Sequence, residues 1–319
     1  MKKRSLLISI SLMLIGASAS GEILQWDKIE HWSGDGPNKA ALVVQFDTGA
    51  NDNPGTIVWG FRWNDGESLT SEDMLRAIAS DASDLLILVQ FTGSMGSTLN
   101  GLGYASDVTA LIDNISYDFD HAKDDSRISF GFITPNKAMG QTKAPGDETP
   151  SMIFDALEAA KTTHIIDHPL NQREYGYPAY DYDWWKLSSD ARNQYWNSGW
   201  YESYWSFWLG DADLSAMTYS GMGMSSVELH DGDVHGWKHF PVSYEDMNND
   251  FFDYIDSHSD WLPLNYKHFN LTDGVELIEQ DGDNRIEYYN INGTKVEAPL
   301  SPGLYIRREG NAVSKLIVR

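Results

Sequence analysis

The sequence predicts an α+β protein: a mixed main domain with an antiparallel sheet and a few helices, followed by a small C-terminal antiparallel β-sandwich-like module. Three observations predict it. Strand-like and helix-like stretches mix with no βαβ rhythm and no internal repeat. The near-continuous apolar run Ala40–Phe46 is followed, after a loop rich in Gly, Asn, Asp and Pro, by Thr56–Trp63, which suits two strands paired back on each other. From about Thr272 the texture changes to short alternating segments separated by turn residues. The expected division is 1–19, 20–270 and 271–319.

Taken in order, Glu22–Trp32 reads as a strand broken by Ser33-Gly34-Asp35-Gly36-Pro37. In Thr56–Trp63 the alternation places Val58, Gly60 and Arg62 on one side and Ile57, Trp59, Phe61 and Trp63 on the other. Thr70 with Asp73 three residues on is close to a capping box. The helix it opens has the apolar stripe Leu75, Ile78, Ala79 and Ala82. Leu85–Phe91 and Arg127–Ile133 read as further strands. Ser151–His164 reads as a helix with Ile153, Leu157 and Ala160 inward, and Tyr244–Ser257 as a third helix. In the C-terminal segment Arg285–Ile291 ends at Asn292-Gly293, a strong hairpin signal continued by Lys295-Val296-Glu297. Leu304–Arg308 and Val313–Val318 complete the module.

Composition narrows the function classes. The chain has 319 residues, 23 Lys+Arg and 47 Asp+Glu, a net charge of −24. A nucleic-acid binder resting on a broad basic face is excluded, because phosphate contacts need clustered Lys and Arg. With no Cys, disulfide scaffolds, thiolate metal sites and Cys nucleophiles are excluded. Lys2, Lys3 and Arg4 precede the apolar run Leu6–Ile15, and Ala17-Ser18-Ala19 fits a signal-peptidase site, so 1–19 is expected to be a secretory signal peptide. No later segment holds 18 consecutive apolar residues, so no transmembrane segment is expected. The expected location is secreted or at the outer cell surface.

The aromatic residues are the most informative feature. Between Asn171 and Gly210, 14 of 40 residues are aromatic, including six of the 12 Trp. Tyr and Trp offer a flat apolar face with a polar edge, which suits a large planar or ring-shaped ligand. Trp184, Trp185, Trp200, Tyr204, Trp205 and Trp208 are therefore candidate ligand-binding residues, with Trp59, Trp63 and Trp237 adding to the same surface. The alternative is that these rings pack as a satellite core.

No Gly-x-Ser-x-Gly, His-Glu-x-x-His, P-loop or dinucleotide-binding pattern occurs, and no catalytic residue is assigned. His230, Asp231, Asp233, His235 and His239 lie close enough in sequence to be candidate ligands of Zn²⁺. The pairs Asp181/Asp183, Asp211/Asp213, Asp231/Asp233 and Asp281/Asp283 suit oxygen coordination of Ca²⁺ or, equally, solvated turns.

Two resemblances add to this. Tyr289-Asn290-Ile291-Asn292-Gly293-Thr294-Lys295-Val296, Pro302-Gly303-Leu304-Tyr305-Ile306 and the terminal Lys315-Leu316-Ile317-Val318-Arg319 resemble the C-terminal sorting domain of type IX secretion substrates. That resemblance implies passage across the outer membrane by export machinery, with cleavage or surface attachment. The chain departs from the pattern in ending at Arg319, where Lys is common. Trp32-Ser33-Gly34, Asn38–Val43, Trp59-Gly60-Phe61-Arg62-Trp63, Asp73–Ile78, Gly101–Tyr104, Tyr204–Trp208 and Asp231–Trp237 are similar to a group of secreted bacterial proteins, some linked to corrinoid (vitamin B12) capture. Asp233-Val234-His235 also resembles part of the Asp-x-His-x-x-Gly sequence of corrinoid enzymes, with Lys238 in place of the Gly. The expected function is a surface protein capturing a ring-shaped ligand, first of all a corrinoid, with uptake or export machinery as a partner. A glycan-binding or glycoside-hydrolysing protein and an envelope structural or adhesion protein are the alternatives.

Overall fold

The computed structural model describes residues 23–46, 54–91, 96–120, 148–170, 184–188, 193–199, 203–241, 251–268, 286–290, 295–296, 303–309 and 312–318. The chain divides into two compact units, Met1–Phe269 and Asn270–Arg319. The class is α+β, with mixed and antiparallel sheets.

In the first unit the early elements are β1 (Trp32–Ser33), β2 (Asn38–Gln45), β3 (Thr56–Trp63), α1 (Ser71–Asp81), β4 (Leu85–Phe91) and β5 (Ser97–Ala105). There follow α2 (Val108–Asp113), β6 (Ile115–Tyr117), α3 (Pro150–Thr163), β7 (Ile165–Asp167), β8 (Trp185–Leu187) and β9 (Gln194–Ser198). The last are β10 (Ser203–Gly210), β11 (Thr218–Tyr219), β12 (Val234–Pro241), α4 (Phe251–Asp256) and β13 (Leu264–Asn265).

The larger sheet has seven strands in the order β1-β3-β2-β12-β10-β11, with β13 also on β3. β2 and β3 pair antiparallel, Ala40 opposite Phe61 and Ala41 opposite Gly60. β12 runs parallel to β2, and β10 antiparallel to β12. The outer edge of β3 is shared: β13 covers Thr56 and Ile57, and β1 covers Gly60 and Phe61. Sharing leaves no row of unpaired peptide groups along β3, which is where sheets otherwise recruit other chains.

Both faces of this sheet are covered. One face carries Ala40, Leu42, Val44, Ile57, Trp59, Phe61, Trp63, Trp205, Phe207 and Trp237. They pack with α1 and with Leu85, Ile87, Val89 and Tyr104 of the four-stranded sheet β7-β4-β5-β9. The opposite face carries Ala41, Val43, Val58, Tyr204, Trp208, Val234 and Phe240. Behind the four-stranded sheet, Leu86, Leu88, Trp184, Trp185 and Trp196 pack with α2, α3 and the β6–β8 pair. Helix α1 starts as its sequence dictates. Thr70 Oγ1 accepts the Asp73 N–H, and Asp73 Oδ2 accepts the Thr70 N–H at 2.8 Å, a full capping box. α3 begins with Pro150 after the cap Thr149, and ends at His164 in the left-handed region.

Three expectations change. The strand expected over Glu22–Trp32 is, among its described residues from Ile23, a 3₁₀ turn, Trp26–Lys28, ahead of the two-residue β1 that begins at Trp32. The reason is that β13 already occupies the other half of the β3 edge. The third helix covers Phe251–Asp256, and 244–250 lie outside the described residues, as do 127–133. In the second unit, β14 (Ile286–Asn290), β15 (Lys295–Val296), β16 (Gly303–Glu309) and β17 (Ala312–Val318) form one antiparallel sheet in the order β15-β14-β16-β17. Among the described residues this is a single layer and not a sandwich.

Candidate functional site

The aromatics singled out by sequence density lie inside the first unit. Trp59, Trp63, Trp205 and Trp237 belong to the core between the two sheets, Trp184 and Trp185 to the core behind the smaller sheet, and Tyr204 and Trp208 to the opposite face of the larger sheet. Each of the eight is at most 7 % exposed. Alternation along β10 does split Trp205 and Phe207 from Tyr204 and Trp208, but both sets are buried because the sheet is covered on both sides. Trp205 meets Phe46 edge-on at 5.4 Å and donates its Nε1–H to the Asn197 carbonyl at 3.0 Å. Trp200 lies outside the described residues, as do most of the Tyr residues of the aromatic stretch.

Three of the five His and Asp candidates come together, Asp233 Oδ2 lying 3.4 Å from His230 Nδ1 and 3.6 Å from His235 Nε2, while Asp231 and His239 serve elsewhere. His230 to Asp233 form a turn, with Gly232 at φ 94° and the Asp233 N–H donating to the His230 carbonyl. Asp233 Oδ2 accepts the His230 N–H, and Asp231 Oδ1 accepts the Lys39 N–H at 3.0 Å. His235 and His239 stand on strand β12. Four residues of strand span about 13 Å, too far for one ion to bridge. His235 Nδ1 lies 2.7 Å from the Ser71 hydroxyl instead, and burial pushes its pKa down to about 4. His239 packs 5.0 Å from the Trp205 ring, and burial pushes it down to about 3. Among the described residues no group of three or more His, Asp or Glu side chains is placed to hold a metal ion. Asp211 accepts the Asp213 N–H and Asp213 caps the turn at Ser215, so this pair serves backbone groups.

A different set of aromatic side chains reaches solvent. On the Val43 and Val58 face of the larger sheet, Trp26, Trp32, Tyr219, Tyr254, Trp261 and Tyr266 pack half-buried around the core. Two strand glycines make room for two of these rings. A Cβ on Gly60 would come within 2.4 Å of the Trp32 ring, and one on Gly236 within 2.5 Å of Trp261. Trp26 and Trp32 have ring centres 6.4 Å apart and inclined by 29°. Trp32 donates its Nε1–H to the Ile29 carbonyl at 3.0 Å, which fixes its edge.

Basic side chains cover these rings. The Lys39 ammonium is 4.6 Å from the centre of Trp26, the Arg62 guanidinium 4.4 Å from Trp32, and the Lys28 ammonium 5.9 Å from Tyr266. Each such contact contributes about 0.5–1 kcal/mol at an exposed position. The Tyr266 hydroxyl accepts the Gln25 N–H, tying the N-terminal turn to the end of the unit. Lys238, by contrast, is a clamp. Its ammonium donates to the His258 and Asp260 carbonyls beside Trp261, and burial pushes its pKa down to about 8.

Sequence reasoning missed Trp26, Trp32, Lys39, Arg62 and Tyr266 as a group because they are scattered along the chain. The available signal was a glycine inside each of two strand patterns, which often marks close approach of another group. Comparison of the chain with family models, curated proteins and solved structures finds no match.

Proposed function

We propose that the protein is a secreted or cell-surface binding protein that captures a ring-bearing ligand on the Trp26–Trp32 surface. The observation that carries this reading is a stacked, half-buried pair of indoles, Trp32 fixed against Gly60 and by its hydrogen bond to the Ile29 carbonyl, with Lys39 and Arg62 over the two rings. Flat, fixed rings contribute contact area at low entropic cost. A corrinoid follows from the resemblance of the main domain, and a glycan from the chemistry of this surface, which the geometry favours. Extracytoplasmic placement follows from the signal-peptide pattern, and outer-membrane export machinery from the C-terminal resemblance. Zn²⁺ and Ca²⁺ have no role in this reading.

A second reading, an envelope structural or adhesion protein, is favoured by one observation: the eight flagged aromatics that the structure describes are core. Calorimetric titration with cyanocobalamin and with a panel of soluble glycans separates the two. Saturable heat with one ligand, lost in Trp26→Ala, supports capture. Silence across the panel favours the structural role.

A further inference from the structure

We propose that Lys39 and Arg62, with Lys28 beside them, form an anion subsite, and that the ligand of the Trp26–Trp32 surface is a glycan carrying carboxylate or sulfate groups. The proposal rests on the binding-protein reading and adds the ligand's charge to it.

The first argument is register. Lys39 and Arg62 are directly opposite each other on the antiparallel pair β2–β3. Side chains at opposed positions have Cβ atoms about 4.5–5.5 Å apart, and like charges placed so repel and destabilise the sheet. The Trp26 and Trp32 faces offset part of this. A bound anion between the two cations would turn the remaining repulsion into attraction.

The second argument is the absence of internal compensation in a very acidic chain. It has 47 acidic against 23 basic residues, and Arg76, Lys161 and Lys295 find carboxylates, whereas among the described residues Lys186, Lys238 and Lys267 do not. Arg76 contacts Glu72 at 2.8 Å and Asp167 at 3.2 Å, Lys161 contacts Asp113 at 2.8 Å and Glu158 at 2.6 Å, and Lys295 contacts Glu287. Among the described residues no carboxylate oxygen lies within 4.0 Å of the charged groups of Lys28, Lys39 or Arg62. The nearby acids are turned to other tasks. Asp231 accepts the backbone N–H of Lys39, and Asp65 accepts the Asn38 side-chain amide at 3.1 Å. Arg62 makes one long contact, 3.5 Å to the Gly36 carbonyl.

Together these groups match a sugar ring with an attached acid: indole for the ring, ammonium and guanidinium for the anion. The net charge of −24 repels a polyanion at a distance. At physiological salt that repulsion is screened beyond about 8 Å, while direct contacts persist. Short acidic oligosaccharides are therefore the right probe.

The test uses the full chain. Tryptophan fluorescence and calorimetry would follow titration with a galacturonate trimer, a sulfated disaccharide, neutral oligosaccharides of the same lengths and cyanocobalamin. Acidic oligomers are expected to bind about tenfold or more tightly than neutral ones, the value of one charge-assisted contact. Arg62→Gln and Lys39→Gln should each weaken binding of acidic oligomers about tenfold more than binding of neutral ones of the same length. Arg62→Lys, which keeps the charge, should retain it, and thermal melting checks that all variants fold. Equal binding of acidic and neutral sugars, or binding of cyanocobalamin alone, would overturn the anion subsite and leave the capture reading standing. No binding of any probe would overturn both.

Discussion

Replacing Trp205 by Ala tests whether the aromatic-rich stretch is core or binding surface. The indole is 2 % exposed, lies edge-on to Phe46 at 5.4 Å, packs 5.0 Å from His239 and donates to the Asn197 carbonyl. Truncating a buried Trp to Ala removes its transfer free energy and leaves a cavity, together about 3–5 kcal/mol. Against a total stability of about 5–15 kcal/mol this is a large fraction. For a unit of this size each kcal/mol shifts Tm by about 2–4 °C, so a fall of roughly 6–20 °C is expected. Trp26→Ala is the contrast. Its ring is half-buried, and the losses are the ring contact to Trp32 and the Lys39 cation, about 1–2 kcal/mol in all. Urea unfolding of both variants, followed by far-ultraviolet circular dichroism at neutral pH, reads the difference. An unchanged midpoint for Trp205→Ala, with ligand binding lost, would refute its placement in the core. Equal damage from Trp26→Ala would refute its placement at the surface.

Stability should also respond to pH at both ends of the range. Burial lowers His235 to about 4 and His239 to about 3. Between those values and the unfolded pKa near 6.5 the unfolded chain binds more protons, so stability falls as pH drops through that window. His239→Leu should flatten this acid limb in urea unfolding measured at about pH 7 and pH 5, and raise stability at neutral pH by about 1 kcal/mol by removing two buried ring nitrogens that lack hydrogen-bond partners among the described residues. An unchanged acid limb in that variant would rule His239 out as its source. His268 acts in the opposite sense. Burial opposes its charge, but Nδ1–H to Asp84 at 2.6 Å and Nε2–H to the Val58 carbonyl at 2.8 Å outweigh it, and its pKa is raised. Its contribution is therefore full below about pH 6.5 and lost as pH rises through the folded-state pKa. The facing charged groups are Asp84, Glu30 and His31, the last of which in turn faces Asp81. His268→Gln should abolish the alkaline loss seen in thermal melts, and persistence of that loss would assign it to another group.

Much of the local structure was legible in the residues. The Thr70–Asp73 capping pattern predicted the start of α1, because a helix terminus is stabilised by groups only three positions apart. Alternation in Thr56–Trp63 predicted which side chains share a face, because strand geometry fixes that locally. Asn292-Gly293 and the strands around it predicted antiparallel pairing in the C-terminal sheet.

Long-range placement decided the rest. Local density marked residues 171–210 as aromatic, but density does not say which rings meet water. Trp205 and Trp208 point to opposite faces of β10, and both are buried because separate layers cover each face. Trp26, Trp32 and Trp261 are half-buried instead, and Trp26 and Trp32 are brought to Lys39, Arg62 and Tyr266 by the β1–β3 and β13–β3 pairings. Thus the sequence by itself determined the start of α1, the strand faces and the acidic charge, all of which depend on neighbours within a few positions. Only the tertiary structure decided which aromatics are core and which are surface, and that two like charges stand opposed at Lys39 and Arg62. Exposure and pairing depend on segments some 200 residues apart, such as β13 against β3, and no local pattern encodes them.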